Sequence, residues 1–264
     1  MFVLTSCRVV SSPHDVGAGG EPVVGVHHVP QLEQPCHQLR EVKCSSARTM
    51  TLYQEIRAAG RAMHSKVFEA TQHLDFSPLR IAKRMTLPFA GRTLIFDGEV
   101  TQNAFSDFWF HEYRVNGKSL VESVDPVAAG LDLLETEVLE AHRQARTSFF
   151  ATEAVLPGSH QVRLRDLLEP DRPETLLTDL GLSDSMHRLG TRLALFCRRV
   201  VVRDLAMTSG FSFGFEPEHV PGILQAHRQR MKRVAPPDLS EARFVFFFLK
   251  HRQRGVEQAF QDVV

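Results

Sequence analysis

Cysteine is scarce and poorly placed for cross-linking. Four occur in 264 residues, and Cys7, Cys36 and Cys44 all lie near the start, leaving Cys197 alone in the body. That excludes a disulfide framework and fits a reducing compartment. Long apolar runs are also missing. The longest, Phe244–Leu249, is six residues flanked by Arg243 and Lys250, whereas a spanning helix needs roughly 20. Leu4-Thr5-Ser6-Cys7 superficially matches a lipoprotein cleavage box, but no positive charge precedes it and its apolar segment is too short for export. The expected location is therefore the cytoplasm, with no membrane. Net charge is nil, 31 basic against 31 acidic side chains, so the total does not indicate a strongly cationic nucleic-acid binder. Tyr and Trp number two and one against 19 Phe. Phe has no polar handle, which points to core packing. Neither a Gly-x4-Gly-Lys-Ser/Thr loop nor a Gly-x-Gly-x-x-Gly occurs, so no nucleotide cofactor is expected.

Residues 1–49 carry Gly-Ala-Gly-Gly, Ser-Ser pairs and scattered His, with no sustained period. They read as a disordered leader or a non-native extension. Cys36, His37 and Cys44, with His27 and His28 nearby, offer zinc ligands. They lack a Cys-x2–4-Cys pair, and adjacent Cys36 and His37 do not readily face one ion, so no metal is expected. At Met50 the pattern changes. Leu52, Ile56, Ala59, Met63, Val67, Ala70 and Leu74 follow at steps of three and four, one face of an amphipathic helix.

Residues 50–148 read as mainly helical. Ser77-Pro78 opens a short helix, Arg92–Phe96 reads as a strand ended by Asp97-Gly98, and further helices cover about Val100–Tyr113 and Leu131–Ala145. From Phe149 the period becomes two. Phe149–Leu156 and Gln161–Leu168 form a hairpin around Pro157-Gly158-Ser159, followed by strands at Thr175–Asp179, Leu193–Val202 and Met207–Phe215. Helices from about Pro217 and from Asp238 close the chain, the second with Glu241 in a capping-box position. The expected fold class is α+β: a helical N-terminal half, then over 149–264 a small antiparallel β unit with C-terminal helices.

Charge is segregated. Residues 50–96 carry seven Lys or Arg against three acids, and residues 97–140 carry two against ten. The first closing helix adds Arg228, Arg230, Lys232 and Arg233. Such asymmetry marks either a partner surface or complementarity between the protein's own helices.

Gly210-Phe211-Ser212-Phe213-Gly214 matches a nucleophile elbow, with Asp238 and His251 following in hydrolase order. Alternating Phe211, Phe213 and Phe215 instead read as a strand with Ser212 on its other face. His111-Glu112-x-x-Val115 is half of a zincin motif and lacks the second His. Asp107, His111 and Glu112 form a potential acid–base cluster on one helix. A solvated polar face opposite Phe105, Phe108 and Trp109 explains the same residues. Thr208-Ser209-Gly210 reads either as an anion-binding turn or as an ordinary turn or bulge.

Arg92–Glu99, Phe105–Tyr113 with Asn116-Gly117-Lys118, Arg146–Phe150 and Asp204–Phe215, taken in that order, resemble a family of uncharacterised bacterial proteins over roughly residues 50–230. The resemblance implies an intracellular protein with a helical front and a β unit, and no named activity. Positions matching its segments are Asp107, Glu112, Tyr113, Lys118, Thr208, Ser209 and Gly210, the expected site, in which Tyr113, Lys118, Thr208, Ser209 and Gly210 are the expected binding residues. The expected function is a non-catalytic interaction or regulatory module, its partner a protein or, through the basic C-terminal helix, nucleic acid. The alternative is a hydrolase using Ser212 or the Asp107/His111/Glu112 cluster.

Overall fold

The computed structural model describes residues 36–91, 93–190 and 192–255, with side chains from Ala47 onward. The helical half comprises α1 (Cys36–Ala70), α2 (Pro78–Arg84), α3 (Glu99–His111), α4 (Leu120–Ser123) and α5 (Leu133–Gln144), with a short ribbon of β1 (Phe89–Ala90) and β2 (Thr93–Leu94). Then come β3 (Arg146–Leu156), β4 (Gln161–Asp166), β5 (Thr175–Thr178), α6 (Leu180–Leu189), β6 (Ala194–Val202) and β7 (Leu205–Phe215). The chain closes on α7 (Val220–Met231) and α8 (Leu239–Arg254). Helix α1 is already formed at Cys36, ahead of the change of pattern at Met50. His27 and His28, and the side chains of Cys36, His37 and Cys44, lie outside the described residues.

The α+β class holds, but the expected small antiparallel unit is instead a closed five-stranded barrel in the order β3-β4-β5-β7-β6. Strands β3, β4 and β5 form a meander, and β6 returns after α6 to lie beside β3. That is a Greek key, and β7 closes it by pairing antiparallel with β6 and parallel with β5 at Leu177–Ala206. A five-stranded Greek-key barrel is the architecture of oligonucleotide/oligosaccharide-binding folds. Alternation within a strand marks its faces and not its neighbours, which is why closure and the parallel contact were not expected. Helix α6 was also unexpected, although its ends are marked. Asp179 Oδ1 accepts the Leu182 N–H at the N-cap, and Gly190 adopts a left-handed C-cap, φ 63°. The capping box expected at the last helix does not form, since the Asp238 side chain makes no cap hydrogen bond.

Two cores result. Phe150, Val162, Leu164, Leu177, Leu195 and Cys197 fill the barrel with Leu182 and Met186 of α6. The opposite face of β3, β6 and β7 is covered by helices. There Phe149, Phe196, Phe213 and Phe215 pack on Phe244, Phe247 and Phe248 of α8, with Phe196 and Phe247 stacked at 4.2 Å between centroids. The Phe-rich composition is spent on this seam. Because both faces of β6 are covered from Ala194 to Arg198, a polar side chain there needs a buried partner.

The β6–β7 hairpin turns on Arg203 and Asp204, both at positive φ, 48° and 65°. Two-residue turns of that shape favour Asn-Gly. Arg203→Asn with Asp204→Gly is expected to stabilise the protein by about 1 kcal/mol, read by urea unfolding. The lost Arg203–Glu137 pair is exposed and offsets little of this. A lower midpoint would show that the turn is not limiting.

Candidate functional site

The sequence of β6 opens on an unbroken apolar run, Ala194–Cys197, that ends at Arg198, which shares the helix-facing parity of Phe196 and Val200. Its guanidinium is sealed against α3. Nε donates to Asp107 Oδ1 at 3.0 Å and to Oδ2 at 3.2 Å, and Nη2 donates to Glu112 Oε1 at 2.5 Å. Arg198 and Glu112 are each 3% exposed, and Asp107 is 8% exposed. Asp107, His111 and Glu112 therefore do not form the solvated face that explained them in the sequence. They face the barrel wall.

A bulge brings β7 into the same cluster. Pairing steps from Cys197–Ser212 to Arg199–Thr208, so the strand gains length opposite Arg198. Gly210, at φ 119°, takes up the distortion. Ser209 Oγ then lies 2.5 Å from Asp107 Oδ2. On the preceding residue, Thr208 Oγ1 donates to Asp179 Oδ2 at 2.5 Å. Arg57 of α1 joins them, with Nη2 2.9 Å from Asp179 Oδ2, Nη1 donating to the Thr208 carbonyl at 2.8 Å, and Nε donating to the Tyr53 hydroxyl at 3.0 Å. Burial raises the Tyr53 pKa, and Asp179 adds to the effect.

Three imidazoles extend the cluster away from the barrel. His111 Nε2 is 3.9 Å from Asp107 Oδ2. His142 Nδ1 of α5 lies 3.1 Å from His111 Nε2, so one ring donates to the other. His64 of α1 packs edge-on against His142 and Phe110, and its buried Nε2 has no hydrogen-bond partner among the described residues. Burial holds all three below the usual imidazole range. His64 falls to about 4, and His111 is pushed down further by Arg198. These rings are neutral at pH 7. Burial raises the Asp107 pKa, opposed first by Arg198. One guanidinium serves both buried carboxyl groups.

The other expected residues go elsewhere. Tyr113 is buried against Phe76, and Lys118 is exposed in a turn where its backbone pairs with Val115. Ser212 lies within β7, 2% exposed and opposite Cys197, not on a strand-to-helix turn. His251 stacks on Phe213 at 4.8 Å. Among the described residues, Glu216, Glu218 and His219 form the one tight group of metal-type ligands. It is solvent-facing, and such groups commonly form without an ion.

Two of the four segments that carried the resemblance, Phe105–Tyr113 and Asp204–Phe215, meet at this buried cluster through Asp107 and Ser209, and all four fall inside a single family match, residues 47–261. The chain belongs to the Family of unknown function (DUF7986). No curated protein and no solved structure shows significant similarity to it. The DUF7986 match takes in the whole barrel and every helix from α2 to α8.

In this DUF7986 chain, sequence reasoning missed Arg198, Arg57, Asp179, His64 and His142. Arg198 had a readable signal, a charge on the Phe/Val parity of a strand. The two histidines had none, because each is a lone His on a helix whose partner lies more than 30 positions away. Among the described residues, no helix is long and apolar enough to cross a membrane.

Proposed function

We propose that the protein is a non-catalytic, cytoplasmic interaction module whose partner carries negative charge. One contrast supports this reading. The acidic stretch 97–140 is largely consumed within the fold: Asp97 pairs with Arg252, Glu112 with Arg198, Glu122 with Arg114, Glu135 with Lys66 and Glu137 with Arg203. The basic stretch of α7 is not. Arg228, Arg230, Lys232 and Arg233 are exposed within six residues and have no carboxylate partner among the described residues. The groups that looked catalytic are meanwhile bonded to one another beneath the surface, and Ser212 lacks the turn that a nucleophile elbow needs.

The barrel architecture argues for no activity by itself. The face that such barrels use for nucleic acid, on their second and third strands, corresponds to β4 and β5. Here it presents Arg163, Arg165 and Leu176, with the arginines facing Glu174 and Glu153. It offers no aromatic ring on which a base could stack.

Heparin-agarose tests the reading as a generic polyanion. Full-length protein is expected to bind at about 50 mM salt and elute below about 300 mM. Arg228→Glu/Arg230→Glu/Lys232→Glu/Arg233→Glu is expected to flow through, while Arg163→Glu/Arg165→Glu is retained. Retention of the α7 variant would overturn the assignment.

A further inference from the structure

We infer that the groove between α7 and α8 docks an acidic amphipathic helix from a protein partner. This rests on the interaction-module reading and names the partner's chemistry. Helix α8 is apolar on two faces. Phe244, Phe247 and Phe248 are buried against the barrel. Ala242, Val245, Phe246 and Leu249 stand at i, i+3, i+4 and i+7 and remain only half-buried. With Arg230 of α7 and Lys250 they line a groove of about 340 Å³. That spacing is the floor on which an amphipathic helix lays its own apolar stripe.

The rim selects the occupant. Arg230 and Lys250 flank the apolar floor, and Arg228 on α7 and Lys232 and Arg233 just past its end are exposed cations close by in sequence. Lys250 Nζ lies 6.0 Å from the Phe246 ring centre, so cation and apolar floor are contiguous. Behind Phe246, the His227 ring packs at 5.5 Å, with neither nitrogen hydrogen-bonded among the described residues. Nucleic acid would meet the cations and the Phe246 ring but leave Ala242, Val245 and Leu249 uncovered. A second copy would set Arg230 and Lys250 against their own counterparts. An apolar stripe flanked by carboxylates satisfies both parts of the surface.

The test is fluorescence anisotropy on the full-length chain. The probe is a labelled 18-residue peptide of Leu at i, i+3, i+4, i+7 and Glu elsewhere. A scrambled isomer of equal composition and a mixed-sequence single-stranded DNA 20-mer serve as controls. The scrambled peptide is expected to bind at least about tenfold more weakly. Val245→Ser/Leu249→Ser is expected to weaken the peptide by a similar factor without changing heparin retention. Should that pair disturb folding, Ala242→Glu places a repelling carboxylate on the rim and is expected to do the same. Equal binding of the two peptides, tighter binding of the DNA, or a dimer dissociated by either variant overturns the groove assignment while leaving the heparin result intact. Loss of heparin retention by the parent protein removes the underlying reading instead.

Discussion

Arg198→Met is expected to cost about 3–5 kcal/mol, a fall of roughly 10 °C in melting temperature. The residue is 3% exposed and, among the described residues, is the one guanidinium bonded to both Asp107 and Glu112. Removing it strands two buried carboxyls, and the cost comes from leaving them uncompensated. The decisive comparison is Asp107→Leu/Glu112→Leu/Arg198→Met. Replacing a whole buried ionic group by apolar side chains of similar volume is often neutral. This triple variant is expected to recover more than half of the loss, limited by the Ser209 hydroxyl left without Asp107. Thermal and urea unfolding read both. A stable Arg198→Met protein would show that the cluster is open to water and does not clamp α3 to the barrel.

Acid is expected to unfold the protein through its histidines. His64, at about 4, and His111 and His142, also lowered, stay neutral in the fold, while the same groups in the unfolded chain protonate near 6.5. Below about pH 6.5 the unfolded state therefore binds more protons, and stability falls until the folded values are reached. His64 alone contributes roughly 3 kcal/mol between pH 7 and pH 4. His227, also at about 4, acts in the same direction. Asp107 opposes them. Its raised value makes the folded state the stronger proton binder, so its contribution grows as pH falls toward the ordinary carboxylate range. The histidines are expected to win by number. Urea midpoints at pH 7.5, 5.5 and 4.5 should fall in that order, and His64→Phe should flatten the slope. The buried Nε2 has no hydrogen-bond partner among the described residues to lose. A flat profile would mean that the rings are solvated.

Individual elements were legible where a local period expressed them. The three-and-four spacing from Leu52 to Ala70 is α1, and Phe211, Phe213 and Phe215 line one face of β7 as alternation requires. The acid–base residues of α3 were legible as a group, but their environment was not. A helix with charge on one side and Phe on the other looks solvated until a barrel wall with its own buried Arg is placed on the polar side. That placement depends on β6 pairing with β3 across α6, and on a bulge whose only local trace is Ser209-Gly210. The Thr208-Ser209-Gly210 segment was read as either a site or a bulge. It is a bulge that delivers two hydroxyls to two buried carboxylates.

The electrostatics divide the molecule in a way the net charge of zero conceals. The helical half and the barrel are joined by compensated charge at Arg198, Asp107 and Glu112, while Arg228 and Arg230 of α7 are exposed. Carbodiimide labelling of carboxyl groups in the native full-length protein, read by peptide mass spectrometry, tests that division directly. Asp107 and Glu112 are expected to remain unlabelled while exposed Glu218 reacts, and to react once urea unfolds the chain. Labelling of Asp107 and Glu112 at the rate of Glu218 in the folded protein would place them in an open cleft and contradict the account.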